Sequence, residues 1–336
     1  MLLSRVAESL YWMARYIERA EDLTRLLAVN FNALLETQPE NARQGWEPLV
    51  KMTGDEELFY KLYTQATPQN ITEFLLWHPQ NVNAVTGCVT RARENARSVR
   101  EQISSEMWGQ LNRLYFLLQD VNRPAVLNNP SDFFGQVRDG TQAFQGITTA
   151  TMTHSEPYHF VQVGLYLERA DKTARILNTK YMYISRLEND SAETALQLIA
   201  LLRSCSAFEP FRRSARGELN SQRVAEFLLL DHQFPRAVRF CFNQSLHALT
   251  QIEGEGSAQS RAEVPLRALG RLGADLEFMD IQEVLGERMD PFLEKLLLRL
   301  NSVGDEVERA YFSTRIILPD RRPQQQQQQQ AAMAQE

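Results

Sequence analysis

At 336 residues and a formal net charge of −6, the chain is longer than one average domain and too acidic for the basic stripe of a protein that neutralises nucleic-acid phosphates. Sparse Gly and Pro (15 and 13), ordinary apolar content and long helical periodicities predict an all-α fold. Cys88, Cys205 and Cys241 give neither a disulfide framework nor a CxxC zinc spacing, and no segment reaches the ~18 to 20 apolar residues of a membrane span, so a cytoplasmic protein is expected.

The opening MLLSRVAESLYW has no basic region followed by an uninterrupted apolar run and no cleavage-like site, so no leader is expected. A first helix is predicted from about Leu2 to Glu36. Wrapped at about 100° per residue, it carries Leu3, Val6, Ala7, Leu10, Ala14 and Ile17 on one apolar face. Glu21 projects into the middle of that face, Glu18 and Arg25 flank it, and Arg19 points about a quarter turn away. Thr37 to Gly45 breaks the helix, and short helices follow near Glu47 to Met52 and Glu56 to Tyr63. Asn70 with Glu73 reads as a capping-box start, and Trp77-His78-Pro79 ends that helix because a residue before Pro avoids the α region.

Val82 to about Ile103 reads as one helix dense in arginine, with Arg91, Arg93, Arg97 and Arg100. Arg93, Arg97 and Glu101 recur four apart, giving either a solvated face of alternating charge or a set of guanidinium forks for a carboxylate or phosphate. Ser104 or Ser105 is expected to cap the next helix, and Asn122 to Ser131, with Pro124 and Pro130, reads as the first substantial linker. Asp132 to about Thr153 reads as a weaker helix broken by Gly135, Gly140 and Gly146. A second long helix is predicted over Glu156 to Leu187, with Pro157 tolerated in its first turn.

That second helix repeats the first. Tyr16 to Leu27, YIERAEDLTRLL, returns at Tyr166 to Leu177 as YLERADKTARIL, so Glu168, Arg169, Asp171 and Arg175 occupy the places of Glu18, Arg19, Glu21 and Arg25. EFLL at Glu73 returns at Glu226, and Cys88 and Cys241 fall at the same 153-residue offset. A shared spacing over separated motifs predicts an internally duplicated bundle, repeat one about 1–125 and repeat two about 150–320, about a pseudo-twofold axis. Gly254 to Glu263 reads as a polar loop before the closing helices. The glutamine run at Gln324 to Gln330 cannot bury apolar surface, so 321–336 reads as a disordered tail.

Glu21 to Arg25 and Asp171 to Arg175 are acid-then-arginine pairs four apart, worth only a few tenths of a kcal/mol when exposed. Placed where an apolar stripe should continue, buried charges need partners, so the cluster is either a lock between helices or a site around a ligand. No GxGxxG, Walker A, GxSxG or HExxH occurs. The five histidines have no ligand spacing and Cys205 has no base nearby in sequence, so no metal, no cofactor and no nucleophilic cysteine is expected.

The two Tyr-to-Leu motifs, TRARENARSVREQISSEMW from Thr90 to Trp108, and FLLLDHQFPRAVRFC from Phe227 to Cys241 together resemble the bacterial alpha-E domain family, all-helical and named for its Glu-Arg motif. The resemblance covers Met1 to about Pro319 and puts the emphasis on Glu18-Arg19, Glu168-Arg169 and the Arg93 to Glu106 region. Such domains are encoded beside, or fused to, circularly permuted ATP-grasp ligases and transglutaminase-like proteins. That implies a part in a peptide or amide-bond-forming system, without an assigned reaction. Asp22 is replaced by Lys172 in the second copy, so the two copies need not carry equivalent sites. Three expectations follow. One is a helical partner binding the ligase or its carboxylate or peptide substrate; another is an enzyme with Glu18 or Glu168 as general base and Arg19, Arg97 or Arg100 gripping an anion. The last is a pure scaffold forming a homo-oligomer.

Overall fold

A computed structural model describes residues 2–36, 46–184, 187, 191–214, 219–253, 263–284 and 289–313. The two motif stretches form its longest helices, α1 (Ser4–Glu36) and α9 (Glu156–Ile184), which pack against each other. They come close at Gly164, where a Cβ would stand 2.3 Å from the carbonyl oxygen of Tyr11, so only glycine admits this approach.

The remaining helices build outward from that pair. They are α2 (Glu47–Thr53), α3 (Glu56–Leu62), α4 (Pro68–Trp77), α5 (Val85–Ser98), α6 (Ser105–Gln119), α7 (Arg123–Asn128), α8 (Ser131–Thr151), α10 (Ala192–Ser204), α11 (Phe208–Ser214), α12 (Ser221–Leu230), α13 (Val238–Glu253), α14 (Glu263–Glu277) and α15 (Met289–Val307). Among the described residues there is no strand. α1 packs against α5 and α8, with α6 between those two; α9 packs against α13 and α15, with α14 between them. α2 lies on α9, and α10 packs on both α1 and α9. A π-turn at Glu308–Phe312 extends α15 and sets the Phe312 ring 5.2 Å from Tyr11.

Several local readings change. α4 is capped by Thr67, whose hydroxyl accepts from the Asn70 amide at 3.2 Å, with Pro68 at the first helical position; Asn70 lies inside the helix. The arginine-rich helix stops at Ser98, and a 3-10 turn at Arg100–Gln102 redirects the chain before Ser104 caps α6. The stretch read as a linker contains α7, started by Asn122 with Pro124 in the first turn. α8 runs unbroken through its glycines; at Gly140 the Leu114 side chain comes so near that a Cβ would meet it at 2.5 Å, so close packing offsets the weak helix propensity. The segments 37–45 and 254–262 and the glutamine-rich tail lie outside the described residues.

Candidate functional site

At the crossing of α1 and α9 the charged residues of both motifs turn inward. Glu18, Glu21 and Glu168 are wholly buried, and Asp22 is 1% exposed. The two Glu-Arg dipeptides pair reciprocally: Arg169 Nε and Nη2 donate to the two oxygens of Glu18, each at 2.9 Å, while Arg19 Nε and Nη2 donate to those of Glu168 at 2.7 and 3.1 Å. Each is a bidentate fork, the strongest geometry available to an arginine and a carboxylate.

Around Glu18 the network is closed. Its Oε1 also accepts from Arg236 at 2.6 Å and its Oε2 from Gln145 at 2.7 Å, so all four of its acceptor positions are filled. Glu21 accepts from Arg236, Arg25, Gln142 and Gln145, and Arg25 Nε donates to the Ser204 carbonyl at 2.7 Å. Arg25 and Arg236 both donate to Asp22 Oδ1, while Asp22 Oδ2 is buried without a partner among the described residues. Burial alone would push the Glu18 carboxyl up, but Arg169 and Arg236 outweigh it and hold it below 4.5. Arg25, desolvated and facing Arg236, falls to about 10.

Around Glu168 the network is open. Arg15 Nε donates to it at 2.7 Å and donates also, through Nη1, to the Tyr11 hydroxyl at 2.8 Å; Lys172 stands 3.4 Å from it. Arg19 Nη1 donates to Asn83 at 2.7 Å. Asp171 accepts from Arg175 Nε at 2.8 and 3.0 Å and from Lys172 at 3.3 Å. Burial opposes ionisation of Glu168, yet Arg19, Lys172 and Arg15 bring it well below the ordinary range; Lys172 and Arg175 do the same to Asp171. A cavity of about 180 Å³ lies against this group, lined by Arg15, Arg19, Asp22, Asp171, Lys172 and Arg175 among others. A second of about 190 Å³ adjoins it, sharing Arg15, Asp171 and Asn301. Lys172 and Arg175 keep 14% and 29% side-chain exposure, so solvent reaches this group.

Of the residues singled out in sequence, the structure thus brings together Glu18, Arg19, Glu21, Arg25, Glu168, Arg169, Asp171 and Arg175. It leaves the arginine-rich segment elsewhere. Arg93 donates to Asn112 at 2.7 Å and lies over Trp108 and Tyr115, Arg100 lies over Trp108, Arg97 pairs with Glu94 at the surface, and Glu101 is exposed. None of these contacts reaches the Glu18 or Glu168 carboxylate, so the expected grip of Arg97 or Arg100 beside them does not form. Both general-base candidates are engaged by arginine forks, Glu18 by Arg169 and Glu168 by Arg19.

Sequence reasoning missed Arg15, Arg236, Asn83, Gln142 and Gln145. Arg236 had a signal: it stands 153 residues after Asn83, the offset already carried by the EFLL and cysteine matches, and both contact the motif arginines or acids. The glutamines on α8 had none. Burial holds Cys88 and Cys205 at about 11 and Cys241 at about 12, so each is a neutral thiol at pH 7. Among the described residues no group of three or more His, Cys, Asp or Glu side chains is arranged to hold a metal, and no helix is long and apolar enough to cross a membrane.

A helical body clamped by reciprocal, buried Glu-Arg forks is the class these features define. The chain belongs to the Alpha-E family, described as a predicted alpha-helical domain with a conserved ER motif, whose profile matches residues 2–312. It is similar, at 23% identity over 94% of its length, to uncharacterized proteins of Mycobacterium tuberculosis and Mycobacterium bovis. It spans only 37% of the length of these relatives. No solved structure matches it.

Proposed function

We propose that the chain is a non-catalytic helical partner in a peptide or amide-bond-forming system, working with an ATP-grasp ligase and a transglutaminase-like protein and holding a carboxylate of the ligase's substrate in the cavity between α1 and α9. The observation that carries this reading is the cationic surplus at the cavity: Arg15, Arg19, Lys172 and Arg175 face it or its rim against Asp22 and Asp171. Arg175 uses only Nε toward Asp171, so among the described residues its two terminal nitrogens remain available for an anion. The 37% coverage of the mycobacterial relatives supports a module that works within larger assemblies.

The body itself is read as two repeats about a pseudo-twofold axis. α4 and α12 coincide at an offset of 153 at both ends, α5 and α13 start at the same offset, and the packing of α5, α6 and α8 around α1 parallels that of α13, α14 and α15 around α9. The reciprocal forks Glu18–Arg169 and Arg19–Glu168 then fall at the axis, as a self-complementary interface requires.

Co-purification with the ATP-grasp ligase, together with ligase turnover on a carboxylate substrate with and without the chain, tests the function. A complex and altered turnover are expected; no complex and unchanged turnover would end the reading.

A further inference from the structure

The Asp22/Lys172 difference between the two motif copies falls on one cavity. Both residues line the 180 Å³ space, from α1 and α9 respectively, so an acid stands on one helix where the other offers a base. Asp22 is 1% exposed and its Oδ2 has no hydrogen-bond partner among the described residues, although Oδ1 is met by Arg25 and Arg236. A buried carboxylate oxygen left unpaired costs free energy that a ligand donor would recover. Beside it Lys172 and Arg175 carry donors beyond those spent on Asp171 and Glu168. An anion alone would engage the cations and leave Asp22 Oδ2 without a donor; a cation alone would do the reverse.

We infer that the cavity binds the zwitterionic end of a free α-amino acid, its ammonium on Asp22 and its carboxylate on Lys172 and Arg175. This deepens the proposed carboxylate-holding role and rests on it. At ~30 Å³ of liquid per water, 180 Å³ holds roughly six waters, which suits a ligand of about six to ten heavy atoms. Alanine and glutamate lie in that range. In an amide-bond-forming system such a ligand is a building block, presented with its amino group buried until it is handed over.

Isothermal titration calorimetry on the full chain, with glycine, L-alanine and L-glutamate set against acetate, propionate, glutarate and ethylamine, tests this. The amino acids are expected to bind at least about 10-fold tighter than their deaminated counterparts and than ethylamine. Lys172→Met should weaken L-alanine and propionate alike. Asp22→Asn, checked for an unchanged helical spectrum, should weaken L-alanine only; Arg175→Gln, on a more exposed side chain, repeats the carboxylate arm without touching Asp22. Equal binding of L-alanine and propionate would overturn the amino-acid assignment while leaving the carboxylate reading standing. Absence of binding by every probe would overturn both.

Discussion

Two halves of one charge network meet at the α1–α9 seam, and they are built for different ends. Around Glu18, three carboxylates (Glu18, Glu21, Asp22) face three guanidiniums (Arg25, Arg169, Arg236), all 10% exposed or less. Around Glu168, two carboxylates (Glu168, Asp171) face four cations (Arg15, Arg19, Lys172, Arg175), and the cations keep 14% to 29% exposure. Balance and dryness belong together, because an unpaired charge in a dry interior costs several kcal/mol. Surplus and a cavity belong together too, because excess cations need water or an anion nearby. The same Glu-Arg fork therefore serves as a lock on one side and as a support for accessible cations on the other.

Removing one partner from the sealed half should break the comparison most sharply. Glu18→Ala leaves the Arg169 guanidinium without a carboxylate and takes one of the acids from Arg236, and Arg169→Ala removes both fork bonds from the buried Glu18; each should cost about 3–5 kcal/mol, read as a lowered midpoint in chemical denaturation. A cost under about 1 kcal/mol would mean the network is no lock. Acid tests the same groups together. Glu18, Glu21, Glu168 and Asp171 all have folded values held below their ordinary 4.5 or 3.8. Their contribution is complete above those ordinary values and is lost as pH falls through the lower folded ones. Thermal melts should hold steady from neutral pH to about 4.5 and fall steeply below it; a flat profile to strong acid would contradict the pairing.

Farther along α9, Lys180 makes the opposite contribution. It is 6% exposed, no hydrogen bond or ion pair engages it among the described residues, and burial brings its ammonium from 10.5 to about 8. The unfolded chain holds this proton more tightly than the folded one, so folding is penalised below about 8 and the penalty vanishes as pH rises through 10.5. A displacement of that size corresponds to roughly 3 kcal/mol. Lys180→Met should raise the melting temperature at pH 7 and leave it nearly unchanged at pH 10.5. Equal effects at the two pH values would show that packing, not charge, is responsible.

Gly164 tests the seam through shape instead of charge. Alanine there would place its Cβ 2.3 Å from a backbone oxygen of α1, an atom that cannot rotate away, so the helices must part. Overpacking of this kind costs about 1–3 kcal/mol, partly offset by alanine's better helix propensity. Ala14, the position 150 residues earlier, already carries that methyl group, so the two motif helices differ here as well. Fusion of the sealed and open halves into one looser network would appear as faster amide exchange along both motifs.

How much of this was legible beforehand follows from the kind of signal each feature leaves. The long helices and the inward placement of Glu21 and Asp171 were visible because periodicity is a local property of the chain. α7 and the unbroken course of α8 were hidden, since Pro124 and three glycines argue against helix until neighbours such as Leu114 are known. Arg93 and Arg97 read from spacing alone as either a solvated face or an anion site, and tertiary structure gave Arg93 to Trp108 and Tyr115 and left Arg97 in water. Arg236 lies in a loop between helices, where no face can be assigned, yet it closes the sealed half.

The smallest expected effect is the one that separates the open half from the closed one. Arg175 and Asp171 form an acid-then-arginine pair like Glu21 and Arg25, but Arg175 is 29% exposed where Arg25 is 5%. Arg175→Ala leaves Asp171 with Lys172 and with water, so the loss in stability should stay below about 1 kcal/mol. Arg25→Ala, by contrast, uncovers the Ser204 carbonyl and two buried carboxylates at once, and belongs with the losses of several kcal/mol. If chemical denaturation gave the two variants equal losses, exposure would not be what distinguishes the halves. Arg175 thus faces the cavity without being needed to hold the fold, whereas Arg19, which lines the same cavity, is also the fork that holds the buried Glu168.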